Sequence, residues 1–129
     1  MSILLHKYSR IAVHGLTGAQ GSFHARQCMD YGSNIVAGVT PGKGGTRHLE
    51  LPVFDTVKDA IKETGADTSL IFVPPPFAAA AIWEAVEADL DLAICITEGI
   101  PVRDMVHLRE RMKKEQRRTL LLGPNCPGV

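Results

Sequence analysis

The chain has 129 residues, of which 45% are hydrophobic and 22% charged, with 14 Lys and Arg balancing 14 Asp and Glu. This length holds one hydrophobic core and leaves little for a second, so a single domain over 1–129 is expected. A formal net charge of zero excludes a global field that would recruit nucleic acid or an acidic membrane, and leaves open a local phosphate site where Lys43, Arg47 and backbone N–H groups converge.

In chain order, the start MSILLHKYSR is apolar only briefly before His6 and Lys7 interrupt it, so no signal-peptide core forms. No other stretch is long and apolar enough to read as a membrane span. The three cysteines, Cys28, Cys95 and Cys126, are odd in number and show no C-x-x-C pair. A reducing compartment is expected, either the cytoplasm or, in a eukaryote, the mitochondrial matrix after loss of a targeting segment.

Short apolar runs then alternate with longer amphipathic ones. RIAVHG (10–15), NIVAGV (34–39), TSLIFV (68–73), LAICIT (92–97) and TLLLG (119–123) read as strands buried on both faces. Between them GSFHARQCMDYG (21–32), TVKDAIKETG (56–65), PFAAAAIWEAVEAD (76–89) and VRDMVHLRERMKKEQ (102–116) read as helices. Thr56 with Asp59 three residues on marks a helix start, and Gly32 and Gly65 suit left-handed helix ends. The alternation predicts a doubly wound, Rossmann-like α/β fold: a mainly parallel five-stranded sheet of order 3-2-1-4-5 with helices on both faces.

In such a sheet ligands bind beyond the carboxyl ends of the strands. The loops expected there are GLTGAQG (15–21), TPGKGG (40–45), PPPF (74–77), EGIP (98–101) and PNCPG (124–128). GLTGAQG follows a strand and opens a helix, the setting of a phosphate-binding turn. Gly15 serves a tight turn, Gly18 a close ligand approach and Gly21 helix–sheet packing, with free N–H groups expected around Ala19 and Gln20 and a hydroxyl on Thr17. No Lys-Ser/Thr pair follows, so it is not a Walker loop.

A site for NAD wants an acid after the second strand, to accept hydrogen bonds from the adenosine ribose. This chain offers Lys43 between glycines, which suits a phosphate on that ribose. NADP carries one at the 2′ position and coenzyme A (CoA) at the 3′ position, and Lys43 fits either. Val73, Pro74 and Ile96 offer a flat apolar slot, and Thr97, Glu98 and PNCPG line the way beyond it.

With MSILL, GLTGAQGSFH, VTPGKGG, LPVFDTV, ITEGIP and GPNCPGV in order, the chain strongly resembles the N-terminal CoA-binding domain of the succinate–CoA ligase (succinyl-CoA synthetase) α subunit. The resemblance covers essentially all 129 residues. It implies CoA contacts at Thr17, Gly18, Ala19 and Gln20, at Lys43, and at Ile96, Thr97 and Glu98, with an adenine slot at Pro41, Val73 and Ile96. CoA is then a substrate, and no metal is expected in this domain. It also implies a nucleotide-binding β subunit of ATP-grasp type as partner, with no nucleic acid and no membrane involved.

In the family a phosphohistidine on a second α-subunit domain relays the phosphoryl group, and that domain is expected to be absent from these 129 residues. None of His6, His14, His24, His48 and His107 matches the phosphorylated position. His14 and His24 read as packing or surface residues, and Cys126 lacks an evident base. No catalytic residue is therefore expected here, and the chain alone is expected to be inactive. The basic run RERMKKEQRR (109–118) reads as a solvated helix face. Alternatives are a stand-alone CoA or acyl-CoA sensor, the CoA-binding part of a malate- or citrate–CoA ligase, and, less favoured, an NADP-dependent oxidoreductase.

Overall fold

The computed structural model describes residues 3–129. Strands β1 (Ile11–His14), β2 (Ile35–Val39), β3 (Arg47–His48), β4 (Leu51–Phe54), β5 (Thr68–Ile71), β6 (Leu92–Cys95) and β7 (Leu120–Leu122) alternate with helices α1 (Ala19–Tyr31), α2 (Val57–Thr64), α3 (Pro75–Glu87) and α4 (Val102–Lys114). One sheet of order β3-β4-β2-β1-β5-β6-β7 contains them all, and only the β3–β4 pair is antiparallel.

The fold is doubly wound and mainly parallel, as the sequence predicts, with corrections to strand number, to strand order and to the last strand, which is not buried on both faces: β7 lies at the sheet edge, with Leu120 exposed and Leu121 and Leu122 only partly buried. The sheet has seven strands, not five. The strand flanking β2 is Leu51–Phe54, and TSLIFV instead lies on the far side of β1. Counting the six strands outside the β3 hairpin arm restores the order 3-2-1 on one side of the switch and 4-5-6 on the other. The physical reason is local. Leu51 and Val53 are buried while Pro52 and Phe54 are only partly so, giving a short, proline-bearing strand next to the sheet edge rather than a continuous apolar run.

Alternation along β1 divides the core. Ile11 and Val13 pack with Leu16, Ala25 and Ile35 on the α1 face. Ala12 belongs to the other face, with Val57, Ala60, Ile82, Val86 and Leu108 from α2, α3 and α4. Helix caps follow the sequence: the Thr56 hydroxyl accepts the Asp59 N–H at 3.1 Å, and Gly32 and Gly65 hold left-handed C-caps.

The parallel register levels the strand ends. His14 pairs with Val39 and with Ile71, and Ile71 pairs with Cys95. The loops after β1, β2, β5 and β6 therefore emerge on one edge. The order of connection reverses between β1 and β5, where an α/β sheet opens its crevice.

Candidate functional site

The first loop turns at Gly15, whose φ of +91° is the left-handed conformation that favours glycine. A Cβ on Gly21 would run into the Gly15 carbonyl oxygen, so this glycine allows α1 to lie against the end of β1. Gly18 is the N-cap of α1, in extended geometry and without a side chain to cap the helix. The first-turn N–H groups at Ala19 and Gln20 thus have no intrahelical acceptor and face outward from an exposed helix start. This arrangement favours anionic oxygens. Thr17 Oγ1 lies 3.2 Å from Thr40 Oγ1 and ties this loop to the one after β2.

The loop after β2 is organised differently from its sequence reading. Asp55, just past β4, accepts the N–H of Gly42 at 2.7 Å and that of Gly44 at 2.9 Å through one oxygen. The glycine N–H groups are therefore occupied by the chain's own carboxylate and do not form an open seat for phosphate. What the loop presents is Lys43, exposed at its tip. Arg47 does not converge on it, because its guanidinium donates to the Glu50 carbonyl within the β3–β4 hairpin.

Two clefts flank the loop after β5. The first, about 370 Å³, lies between β1, β2 and α3 and is lined by Gly15, Val39, Pro41, Val73, Phe77 and Ala81, with His14, Thr40 and Glu84 as its polar members. The second, about 470 Å³, is lined by Gln20, His24, Val73, Ile96, Thr97 and Glu98, with Asn125 and Cys126 also on its wall. Val73 borders both. Pro41 and Val73 thus share the apolar slot, whereas Ile96 lies across Val73 in the second cleft.

The second cleft is stitched by short hydrogen bonds. Thr97 Oγ1 donates to the Val73 carbonyl at 2.6 Å, and the Asn125 N–H donates to the Thr97 carbonyl at 2.9 Å. The Cys126 thiol donates to the Cys95 carbonyl at 3.4 Å. The His24 ring stacks on Phe72, with planes 3° apart and centroids 5.2 Å apart. Residues Thr17 to Gln20, Pro41, Lys43, Val73 and Ile96 to Glu98 therefore stand along one edge, from the β2 loop across α1 to the β6 loop.

Of the polar members of the first cleft, His14 is read from the sequence as a packing or surface residue and Glu84 is passed over. His14 is 3% exposed, and burial lowers its pKa from 6.5 to about 4, so it is neutral at pH 7. Its Nδ1 is buried without a hydrogen-bond partner. Glu84 Oε1 accepts the Val57 N–H at 2.7 Å at the start of α2, while Oε2 stands 3.8 Å from His14 Nε2. Burial raises the Glu84 pKa, opposed by the Val57 hydrogen bond and assisted by the charges of Glu87 and Asp59. The available signal is spacing: Phe77, Ala81 and Glu84 recur at helical intervals on α3, which puts the carboxylate on the cleft-facing stripe.

Among the described residues no group of three or more His, Cys, Asp or Glu is placed to hold a metal ion, and no helix is long and apolar enough to cross a membrane.

Comparison with known proteins gives this edge a context. The chain is 58% identical over 129 residues to a succinate–CoA ligase [ADP-forming] α subunit of Aquifex aeolicus, covering all of this chain and 42% of that protein. It is 51% identical over 131 residues to a malate–CoA ligase α subunit of Methylorubrum extorquens, covering 44% of that protein. The chain therefore spans less than half the length of these relatives. Among solved structures, a Pyrococcus horikoshii protein superposes with a TM-score of 0.74 at 23% identity over 95% of this chain and 29% of the other, a likeness of fold. A dinucleotide-forming acetyl-coenzyme A synthetase of Ca. Korarchaeum cryptofilum, in complex with phosphate and ADP, also gives 0.74, at 25% identity over 92% of this chain and 26% of the other. The family model described as CoA binding domain matches residues 6–99, and by that match the chain belongs to the CoA binding domain family.

Proposed function

We propose that this chain binds CoA along the carboxyl edge of its sheet and serves as the CoA-binding domain of an acid–CoA ligase α subunit. The observation that carries the reading is the continuity of the edge. An apolar slot bordered by Pro41 and Val73, an open helix start at Gly18 to Gln20 and a second cleft past Ile96, Thr97 and Glu98 follow one another at the scale of a long nucleotide ligand. The adenine occupies the slot, where flat apolar walls exclude water. The pyrophosphate takes the N–H groups and positive end of α1. Lys43 meets the 3′-phosphate as a mobile point charge. Pantetheine then runs through the second cleft and carries the thiol toward Asn125 and Cys126.

In the complete enzyme this positions a thiol to attack an activated carboxylic acid, with activation by a nucleoside triphosphate on a β subunit. Succinate is the acid favoured by the resemblance. The similarity to a malate–CoA ligase subunit is consistent with acid choice by residues outside this domain. Three free cysteines fit a reducing cytoplasm. Calorimetric titration with CoA, dephospho-CoA, NAD and NADP tests the reading: CoA binds most tightly, and a preference for NADP over CoA overturns it.

A further inference from the structure

The first cleft is almost wholly apolar, yet one wall carries a carboxylate only half used. Glu84 Oε1 is committed to the Val57 N–H at 2.7 Å. Oε2 has His14 Nε2 at 3.8 Å, beyond hydrogen-bond length, and the His14 ring is neutral at pH 7 because burial holds its pKa near 4. The Glu84 side chain retains 30% exposure, so water reaches it while the slot is open. A flat ligand that fills the slot displaces that water. The oxygen then loses its hydrogen bonds unless the ligand donates one, and an acceptor left unsatisfied in an apolar site is costly. The other polar members do not serve as well: the Thr40 hydroxyl is engaged by Thr17, and His14 Nδ1 is sealed from solvent.

We infer that Glu84 is the residue that selects the base, its Oε2 accepting a hydrogen bond from the exocyclic amino group of an aminopurine seated between Pro41, Val73 and Phe77. This rests on the CoA reading above and deepens it. Apolar walls alone accept any flat ring of the right size. A carboxylate aimed into them discriminates by chemistry, because a ring without an N–H at that position leaves it unpaired.

The test compares CoA with 1,N6-etheno-CoA, in which the amino nitrogen is closed into a ring and carries no N–H, on the wild-type chain and on Glu84→Gln. The amide keeps an oxygen for the Val57 N–H and turns a donor toward the slot. Wild type is expected to bind CoA at least about tenfold more tightly than etheno-CoA, the scale of a hydrogen bond to a charged group. Glu84→Gln is expected to lose about tenfold for CoA and little for etheno-CoA, so that the preference shrinks. Equal weakening of both ligands, or an unchanged preference, overturns the assignment. The ligand comparison needs no variant: equal affinity of wild type for the two overturns it whatever the stability of Glu84→Gln. If wild type binds neither ligand, the CoA reading itself has failed and this assignment falls with it.

Discussion

Asp55 holds the Gly44 N–H at 2.9 Å and, with the same oxygen, the Gly42 N–H at 2.7 Å. The loop that presents Lys43 is thus shaped by an internal anion before any ligand arrives. A Cβ on Gly44 would press against the Asp55 carboxylate, so a side chain at this position would have to displace it. Loop preorganisation reduces the ordering cost of binding. Asp55→Ala is therefore expected to weaken CoA by roughly threefold to tenfold, since hydrogen bonds to a charged group are each worth about 1.5 to 3 kcal/mol and only part of that reaches the binding step. Tighter CoA binding by Asp55→Ala would instead mean that the freed glycine N–H groups seat a phosphate and that Asp55 competes for them.

Lys43 itself has no carboxylate partner among the described residues' ion pairs, so its charge is available to a ligand. Lys43→Ala is expected to weaken CoA by about one to two orders of magnitude, from the same charge-assisted hydrogen bond. Dephospho-CoA should lose much less. Equal losses for the two ligands, measured by calorimetry, would move Lys43 to the pyrophosphate.

Gly18 and Gly21 sit three residues apart and should fail in opposite ways. Gly18 has an ordinary extended backbone, and a Cβ there would meet only the Gly15 carbonyl oxygen, at 3.4 Å. Gly21 has no such room, because its Cβ would overlap the Gly15 backbone. Gly21→Ala is expected to destabilise the fold by about 1 to 3 kcal/mol, as overpacking does. Gly18→Val should leave the fold nearly intact and abolish CoA binding, since the branched side chain fills the space above the helix start. Thermal melts and titrations of both variants check this. A melted Gly18→Val, or a Gly21→Ala as stable as wild type, contradicts it.

These contrasts show what the sequence could and could not disclose. Strands such as Ile11–His14 and Leu92–Cys95 are buried throughout, and full burial writes itself as an apolar run. Leu51–Phe54 is buried on alternate residues and contains Pro52, so the same rule passes over it and moves TSLIFV into its place. The glycine loop is legible because Gly15, Gly18 and Gly21 act within one turn of chain. Asp55 is not, because its bonds to Gly42 and Gly44 depend on Val39 pairing with Phe54 across the sheet. Thr56 is read correctly as a cap since its partner Asp59 is local. The division of the edge into two clefts by Val73 is likewise a property of strand order, not of spacing.

His14 has a folded-state pKa near 4, below its ordinary 6.5, because burial disfavours the imidazolium. Between those values the unfolded chain binds the proton and the folded one does not. The stability that the neutral ring confers is complete above pH 6.5 and is lost as pH falls through that window. At pH 5 the loss amounts to roughly 2 kcal/mol. Glu84 acts in the opposite sense. Its pKa is raised above 4.5, chiefly by burial, so the folded state holds that proton longer and stability declines as pH rises through the raised value. His14→Gln removes the first effect and leaves the second. Denaturant unfolding at pH 7 and pH 5 should therefore show a larger fall on acidification for wild type than for His14→Gln, by about 1 to 2 kcal/mol. Equal falls in the two proteins would mean that His14 takes up its proton in the folded state, with Glu84 stabilising the imidazolium across the 3.8 Å between them.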